Sequence, residues 1–272
     1  FLKSFDSDDR KHAVNQLLKE PADAVPVLLE CLENSSIEVR SDAADALGRL
    51  IFSTFDTEEE LVSKFLSDGE EEKPSATGAF GKLSSVIDQI ISGLIRATED
   101  IEPRVQINAV TSIGNIKGFD AEQSSTIARQ LIKLLNIEHT AVRVAAIKAF
   151  GRLERSEDAE ICNAVEILAP MLLGHDHVTR EAAGKAINAI LHLEKTVSLK
   201  NDLTGSMLEA LNDQNTWVQT ASIKVLCASN SNSDNVITKI IENKIIEKLI
   251  HKNEFVRKAA ADAFRYIKPN SQ

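Results

Sequence analysis

The stretch Val142 to Leu153, VRVAAIKAFGRL, recurs in variant form along almost the whole chain, and such a recurrence restricts the possible folds more than any composition does. The frame reappears as VRSDAADALGRL from Val39, VQINAVTSIGNI from Val105, TREAAGKAINAI from Thr179, VQTASIKVLCAS from Val218 and VRKAAADAFRYI from Val256. A decayed copy, DRKHAVNQLLK, starts at Asp9. With the second position of the frame as a ruler, the marks are Arg10, Arg40, Gln106, Arg143, Arg180, Gln219 and Arg257, separated by 30, 66, 37, 37, 39 and 38 residues. The long step is one repeat plus an insertion of about 28 residues. The chain is therefore read as an array of one supersecondary unit.

At 100° per residue, Ala146, Ile147, Phe150 and Leu153 share one face of a helix while Lys148 and Arg152 lie opposite. The expectation is a helix with one buried side and one wet side. Stacking such units lets a 272-residue chain form one continuous domain over 1-272, because each repeat buries its apolar face only against its neighbours. Small and aliphatic residues at the pairing positions, with aromatics at 4%, suit closely stacked helices. No stretch approaches the roughly 20 apolar residues of a membrane span. The opening FLKSFDSDDR has neither an initiator Met nor a basic region followed by an apolar one, so it reads as a trimmed or fragmentary start. Cys31, Cys162 and Cys227 sit on helical frames without metal-ligand spacing, which points to reduced core thiols and a cytoplasmic location.

Along the chain, Ser7 or Asp8 caps a helix running to Lys19, with Ala13, Val14 and Leu17 inward, as an unpaired second helix. Pro21 to Leu32 is the first helix of the next repeat, and Asn34 to Glu38 its turn. After Leu50 the period breaks, and residues of about 51–85 form a non-repeat insertion. Phe52 and Phe55 extend the preceding helix, and Thr57 with Glu60 caps a short helix through Leu66 that ends before Gly69. Glu70 to Ser85 is acidic and then rich in Gly, Ser, Thr and Ala; it is expected to be a loop, and Glu70, Glu71, Glu72 and Phe80 are its candidate contact residues. The array then resumes in helix pairs from Val86 to Ile267, ended by Pro269. Lys258, Asp262, Arg265 and Lys268 should make the last helix a polar, solubilising end.

This unit resembles the HEAT repeat: an apolar first helix, a turn rich in Asp, Asn and Pro, then a second helix opening with Val-Arg and carrying small residues followed by Leu-Gly. Arg40, Arg143, Arg180 and Arg257 match the family's ladder arginine, from which Gln106 and Gln219 depart. Gly48, Gly114 and Gly151 match the family's glycine, and Asn188, Cys227 and Arg265 do not. The resemblance implies an all-α, right-handed solenoid of about six helical hairpins plus an N-terminal partial repeat. The motif is a packing signature shared by scaffolds, transport receptors and a few enzymes, so function must come from outward-facing residues.

The frame identifies those residues. Five after the ruler position stand Asn15, Asp45, Thr111, Lys148, Lys185, Lys224 and Asp262; nine after stand Lys19, Arg49, Asn115, Arg152, Ala189, Ala228 and Tyr266. Both rows lie opposite the apolar stripe, and the resemblance implies that they line a concave surface. Lys148, Arg152, Lys185 and Lys224, with Arg49 beyond them, make a local basic stripe in a chain of net charge −10. Such a stripe fits an acidic segment of another protein.

Other chemistries fit less well. A duplex-holding glycosylase on a related fold needs many cations on one face, whereas the sequence pI is 5.2, and Trp217 is read as a turn-packing residue. Iron-dependent hydroxylases on this architecture carry repeated His-Glu pairs, and no His-Glu dipeptide occurs here. His175-Asp176-His177 reads as a capped turn. There is no Gly-x-Ser-x-Gly and no phosphate-binding Gly-rich loop. The alternative enzymatic reading is a lyase or chaperone acting on a bilin-carrying protein, which the unit also resembles, but the aromatic faces that would surround a bilin are missing. The expected function is thus a non-catalytic protein-binding scaffold or adaptor with no cofactor or metal, no nucleic acid or membrane partner, and a monomeric state or a place in a larger chain.

Overall fold

The computed structural model describes residues 6–19, 21–53, 76–116, 119–153, 158–191, 203–229 and 235–266, and among them every regular element is an α-helix. In chain order these are α1 Ser7–Leu17, α2 Pro21–Cys31, α3 Ile37–Ser53, α4 Ala76–Ala97, α5 Pro103–Asn115, α6 Ala121–Leu135 and α7 Thr140–Phe150. Then follow α8 Asp158–Met171, α9 His177–Ile190, α10 Thr204–Ala210, α11 Thr216–Ser229, α12 Asn235–Lys248 and α13 Glu254–Tyr266. The recurring frame occupies every odd-numbered helix. Two compact units divide the chain, Phe1–Gln123 and Ser124–Gln272.

Within each unit the frame helices stack on one another and their hairpin partners pack behind them. In the first unit α3 lies between α1 and α5, with α2 against α3 and α4 against α5. In the second, α7, α9, α11 and α13 follow in order, with α8, α10 and α12 each against the next frame helix. This arrangement corrects the expectation of a one-sided helix. On α7 not only Ala146, Ile147 and Phe150 but also Val142, Val144 and Ala149 are buried, leaving Lys148 on a narrow wet strip. Close packing against α9 across small residues leaves α7 little surface for water. At 0% exposure, Phe150 alone contributes about 2 to 3 kcal/mol of burial.

Small residues set how closely the frame helices approach. A Cβ on Gly48 of α3 would lie 2.3 Å from Ser112 Oγ of α5. The same two helices are tied by Ser112 Oγ donating to the Ala44 carbonyl at 2.9 Å and by Asn108 Nδ2 donating to Ser41 Oγ at 2.8 Å. Gly151, at the end of α7, puts its missing Cβ 2.9 Å from Ala186 Cα of α9. Between α9 and α11 the contact moves one turn earlier, to Gly184, whose Cβ would meet the Trp217 carbonyl at 3.0 Å. Asn188, in the slot of the repeat's usual glycine, spends its amide there: Nδ2 donates to the carbonyls of Gly184 at 2.8 Å and Trp217 at 3.0 Å and reaches Thr220 Oγ1 at 2.9 Å.

From α3 onward the ruler position closes the turn before each frame helix. Its side chain donates to the carbonyl six residues earlier: Arg40 to Asn34 at 2.9 Å, Gln106 to Asp100 at 2.7 Å, Arg143 to Ile137 at 2.9 Å, Arg180 to Gly174 at 3.4 Å, Gln219 to Asp213 at 2.6 Å and Arg257 to His251 at 2.8 Å. The glutamines do the arginine's work, and the reason for them is visible. Both stand where the turn residue is an aspartate, and that aspartate receives the arginine of the preceding repeat: Arg40 to Asp100 through two bonds of 2.6 and 3.0 Å, Arg180 to Asp213 at 3.6 Å. A second guanidinium there would crowd like charges, whereas an amide satisfies the carbonyl without one.

Several local expectations change. Asp6, not Ser7 or Asp8, caps α1, accepting from the amides of Asp8 at 2.7 Å and Asp9 at 3.3 Å, because its backbone is extended while Ser7 is already helical. The expected loop from Glu70 to Ser85 becomes helical from Ala76 onward, as α4. Once Ile90, Ile91 and Leu94 are buried, extending a nucleated helix through a glycine costs only about 1 kcal/mol. The predicted contacts at Glu70, Glu71 and Glu72, and the cap at Thr57 and Glu60, lie outside the described residues. On the last helix Phe264 is 46% exposed at the position where α7 buries Phe150; among the described residues α13 packs against α11 and α12.

Candidate partner-binding groove

The second unit carries a groove of about 540 Å³ between α7 and α9. Its rims are long and charged and its floor is small. Lys148 and Arg152 rise from α7 and the turn after it, Lys185 and His177 from α9, and Gly151, Ala182, Ala186 and Ala189 line the trough between them. The sequence folds this way because the same glycine that draws the two backbones together leaves nothing tall in the seam. Asp176 fixes the entry of α9 by accepting from the amides of Val178 and Thr179, both at 3.1 Å, and from the Thr179 hydroxyl, which together hold its carboxyl below the usual range.

Lys148, Arg152 and Lys185 share this groove with one carboxylate, Glu181. Glu181 Oε1 lies 2.6 Å from Lys185 Nζ, one helical turn away, and that ammonium holds the Glu181 carboxyl below its ordinary value, with His177 and Lys148 adding to the field. Lys185 Nζ also stands 5.5 Å from the centre of the Trp217 ring, within cation–π range. Lys148 and Arg152 are exposed on the opposite rim.

Not every residue of the sequence-derived stripe reaches the groove. Lys224 follows Lys148 and Lys185 in the frame, but its Nζ donates to the Asn188 carbonyl at 2.6 Å, and burial pushes its pKa below the ordinary lysine value. It closes the end of α9. Arg49 belongs to the first unit, where it reaches its own Asp45 at 3.9 Å and Asn15 at 3.2 Å. Phe80 falls within α4.

Trp217, read from the sequence as packing in a turn, instead stands in the first turn of α11 and is 44% exposed. The signal that finds it is its place in the frame, two before the ruler and seven before Lys224, hence on the same face as the lysines. His139 accepts from the Val142 amide at 3.5 Å as the cap of α7. Among the described residues no group of three His, Cys, Asp or Glu is placed to hold a metal ion, and no helix is long and apolar enough to cross a membrane. None of the three cysteines is in a disulfide, and burial pushes the thiol of Cys227 up to about 12.

Stacked helical hairpins joined by capped turns define a helical-repeat protein. Over two stretches these are HEAT repeats: one HEAT repeat model matches residues 24–53 and a second, of HEAT repeats, matches residues 87–188. Solved structures of similar fold include an archaeal HEAT-like repeats protein from Thermococcus onnurineus NA1, 14% identical with a TM-score of 0.58, the match covering 93% of this chain and 92% of that one. A designed armadillo repeat protein in complex with the peptide (KR)4 is 18% identical with a TM-score of 0.60, over 90% of this chain and 99% of that one. An engineered protein, structural genomics target OR329, is 18% identical with a TM-score of 0.59, over 89% and 96%. No curated protein matches the sequence.

Proposed function

We propose that this HEAT-repeat chain is a non-catalytic scaffold that holds an acidic segment of another protein in the groove between α7 and α9. The observation that carries the reading is the gathering of Lys148, Arg152 and Lys185 around one small-floored trough in a chain whose net charge is −10. Partner carboxylates are attracted to the rims and repelled elsewhere, which favours encounter at this place and register. The designed armadillo relative is in complex with a basic peptide; the cations of this groove call for the opposite charge. Exposed rim charges act mainly through association rate and specificity, so the contact should weaken as salt rises. Titrating a fluorescent Glu/Asp-rich peptide against the protein tests the reading. Binding that falls at least 10-fold in the Lys148→Glu, Arg152→Glu, Lys185→Glu variant, and that a Lys/Arg-rich peptide does not reproduce, supports it. Equal affinity of parent and variant for the acidic peptide would sink it.

A further inference from the structure

The cationic row has an apolar companion. Two residues before the ruler position, the frame helices of the second unit carry Ala141, Val178, Trp217 and Phe255. Val178 is 45% exposed, Trp217 44% and Phe255 65%. This position is seven residues before Lys148, Lys185 and Lys224, so the two rows share one helix face and run parallel, about 10 Å apart along the helix axes. In the first unit the same position holds Asp8, Glu38 and Arg104, all exposed and charged. The apolar row is therefore a property of this surface and not of the repeat.

We propose that Val178, Trp217 and Phe255 form a shelf for large apolar side chains of the partner segment, so that the segment recognised is both acidic and apolar. The proposal rests on the binding reading above and adds its second determinant. Trp217 is held as an anchor needs to be: its backbone is clamped against Gly184 and Asn188, while its ring lies beside Lys185 at the groove's edge. A rigid aromatic next to a cation can bury an apolar group on its face while the ammonium meets a neighbouring carboxylate. Exposed tryptophan and phenylalanine in register across successive helices have no use in water, and Lys185 beside Trp217 selects the charge of what covers that ring.

Trp217 is the chain's single tryptophan, so its emission reports directly on the shelf. Three synthetic peptides of equal length are compared: Glu with Leu and Phe, Glu with Ser, and Lys with Leu and Phe. The first is expected to bind at least 10-fold tighter than the second and to shift the tryptophan emission to shorter wavelength, and the third not to bind. Trp217→Ala, and independently Phe255→Ser, which leaves the clamp at Gly184 untouched, should reduce affinity for the first peptide to that for the second. Circular dichroism checks that both variants keep their helix content. Equal binding of both acidic peptides, unaffected by either substitution, overturns the shelf and leaves the basic groove standing. Binding of neither acidic peptide overturns both readings. A concentration-dependent dimer that Phe255→Ser dissolves, without peptide binding, also overturns the proposal, in favour of self-association.

Discussion

The two units are built on one frame and present different surfaces. In the first, the outward rows mix Asn15, Asp45 and Thr111 with Arg49, which meets Asp45 at 3.9 Å and Asn15 at 3.2 Å, as Lys185 of the second unit meets its own Glu181 at 2.6 Å. In the second, the same rows bring Lys148, Arg152 and Lys185 around a groove lined by exposed Val178, with exposed Trp217 beside Lys185. Internal packing is alike: Leu47 of α3 and Phe150 of α7, at equivalent positions, are both fully buried. A repeat array can thus change what it binds without changing how it stands, because each helix has only one strip free to vary.

The largest test of this shared frame is a buried charge. Phe150→Asp should destabilise the second unit by about 5 kcal/mol or more, and Leu47→Asp the first by as much, since each strands a carboxylate among apolar neighbours. Urea melts of the two variants check it; a parent-like melt in either would put the frame out of register. Next come the ladder ion pairs, where the units differ. Arg40 and Asp100 expose only 13% and 11% of their side chains, whereas Arg180 and Asp213 expose 28% and 16% and meet at 3.6 Å. Arg40→Ala should cost about 3 to 5 kcal/mol, because it leaves Asp100 charged and enclosed, and Arg180→Ala only about 1 to 2 kcal/mol.

The same pair sets an acid limb. The Arg40 guanidinium, with the Glu102 amide, holds the Asp100 carboxyl below the ordinary aspartate value, so its stabilisation is complete above about pH 3.9 and is lost as pH falls through the lower folded value. Acid titration followed by circular dichroism should show Asp100→Asn less stable than the parent at neutral pH and the difference closing towards pH 2. The functional contrast is smaller in energy. Lys148→Glu with Lys185→Glu should weaken acidic-peptide binding about 10-fold or more at low salt, while Arg49→Glu in the first unit should leave it within about 2-fold. The smallest effect belongs to the glutamines: Gln106→Leu, which loses one carbonyl contact, should cost about 1 kcal/mol in a denaturant melt.

Much of this was legible in the sequence. The ruler spacing located every frame helix, and the outward rows led to Lys148, Arg152 and Lys185. Lys224 shows where that reading stops. Its place in the frame equals theirs, yet the Asn188 carbonyl within 2.6 Å takes its ammonium. That carbonyl is offered by a different repeat, and no periodicity within one helix can announce it. Gln106 and Gln219 look like defects until the aspartates that claim the preceding arginines are seen beside them. The helical start of α4 was missed because glycine and serine weaken local propensity, while packing of its later turns sustains the helix.

The sequence by itself determined the repeat, its helical class and the strip each helix turns outward, because the apolar period and small-residue positions are local and are enforced by burial at every copy. The tertiary structure decided which outward side chains meet across helices: a groove at Gly151, a lysine turned onto Asn188, a tryptophan left half in water beside Lys185. These depend on how closely two backbones approach and what the neighbouring repeat offers, and a distance between residues some 35 positions apart exists only once the chain has packed.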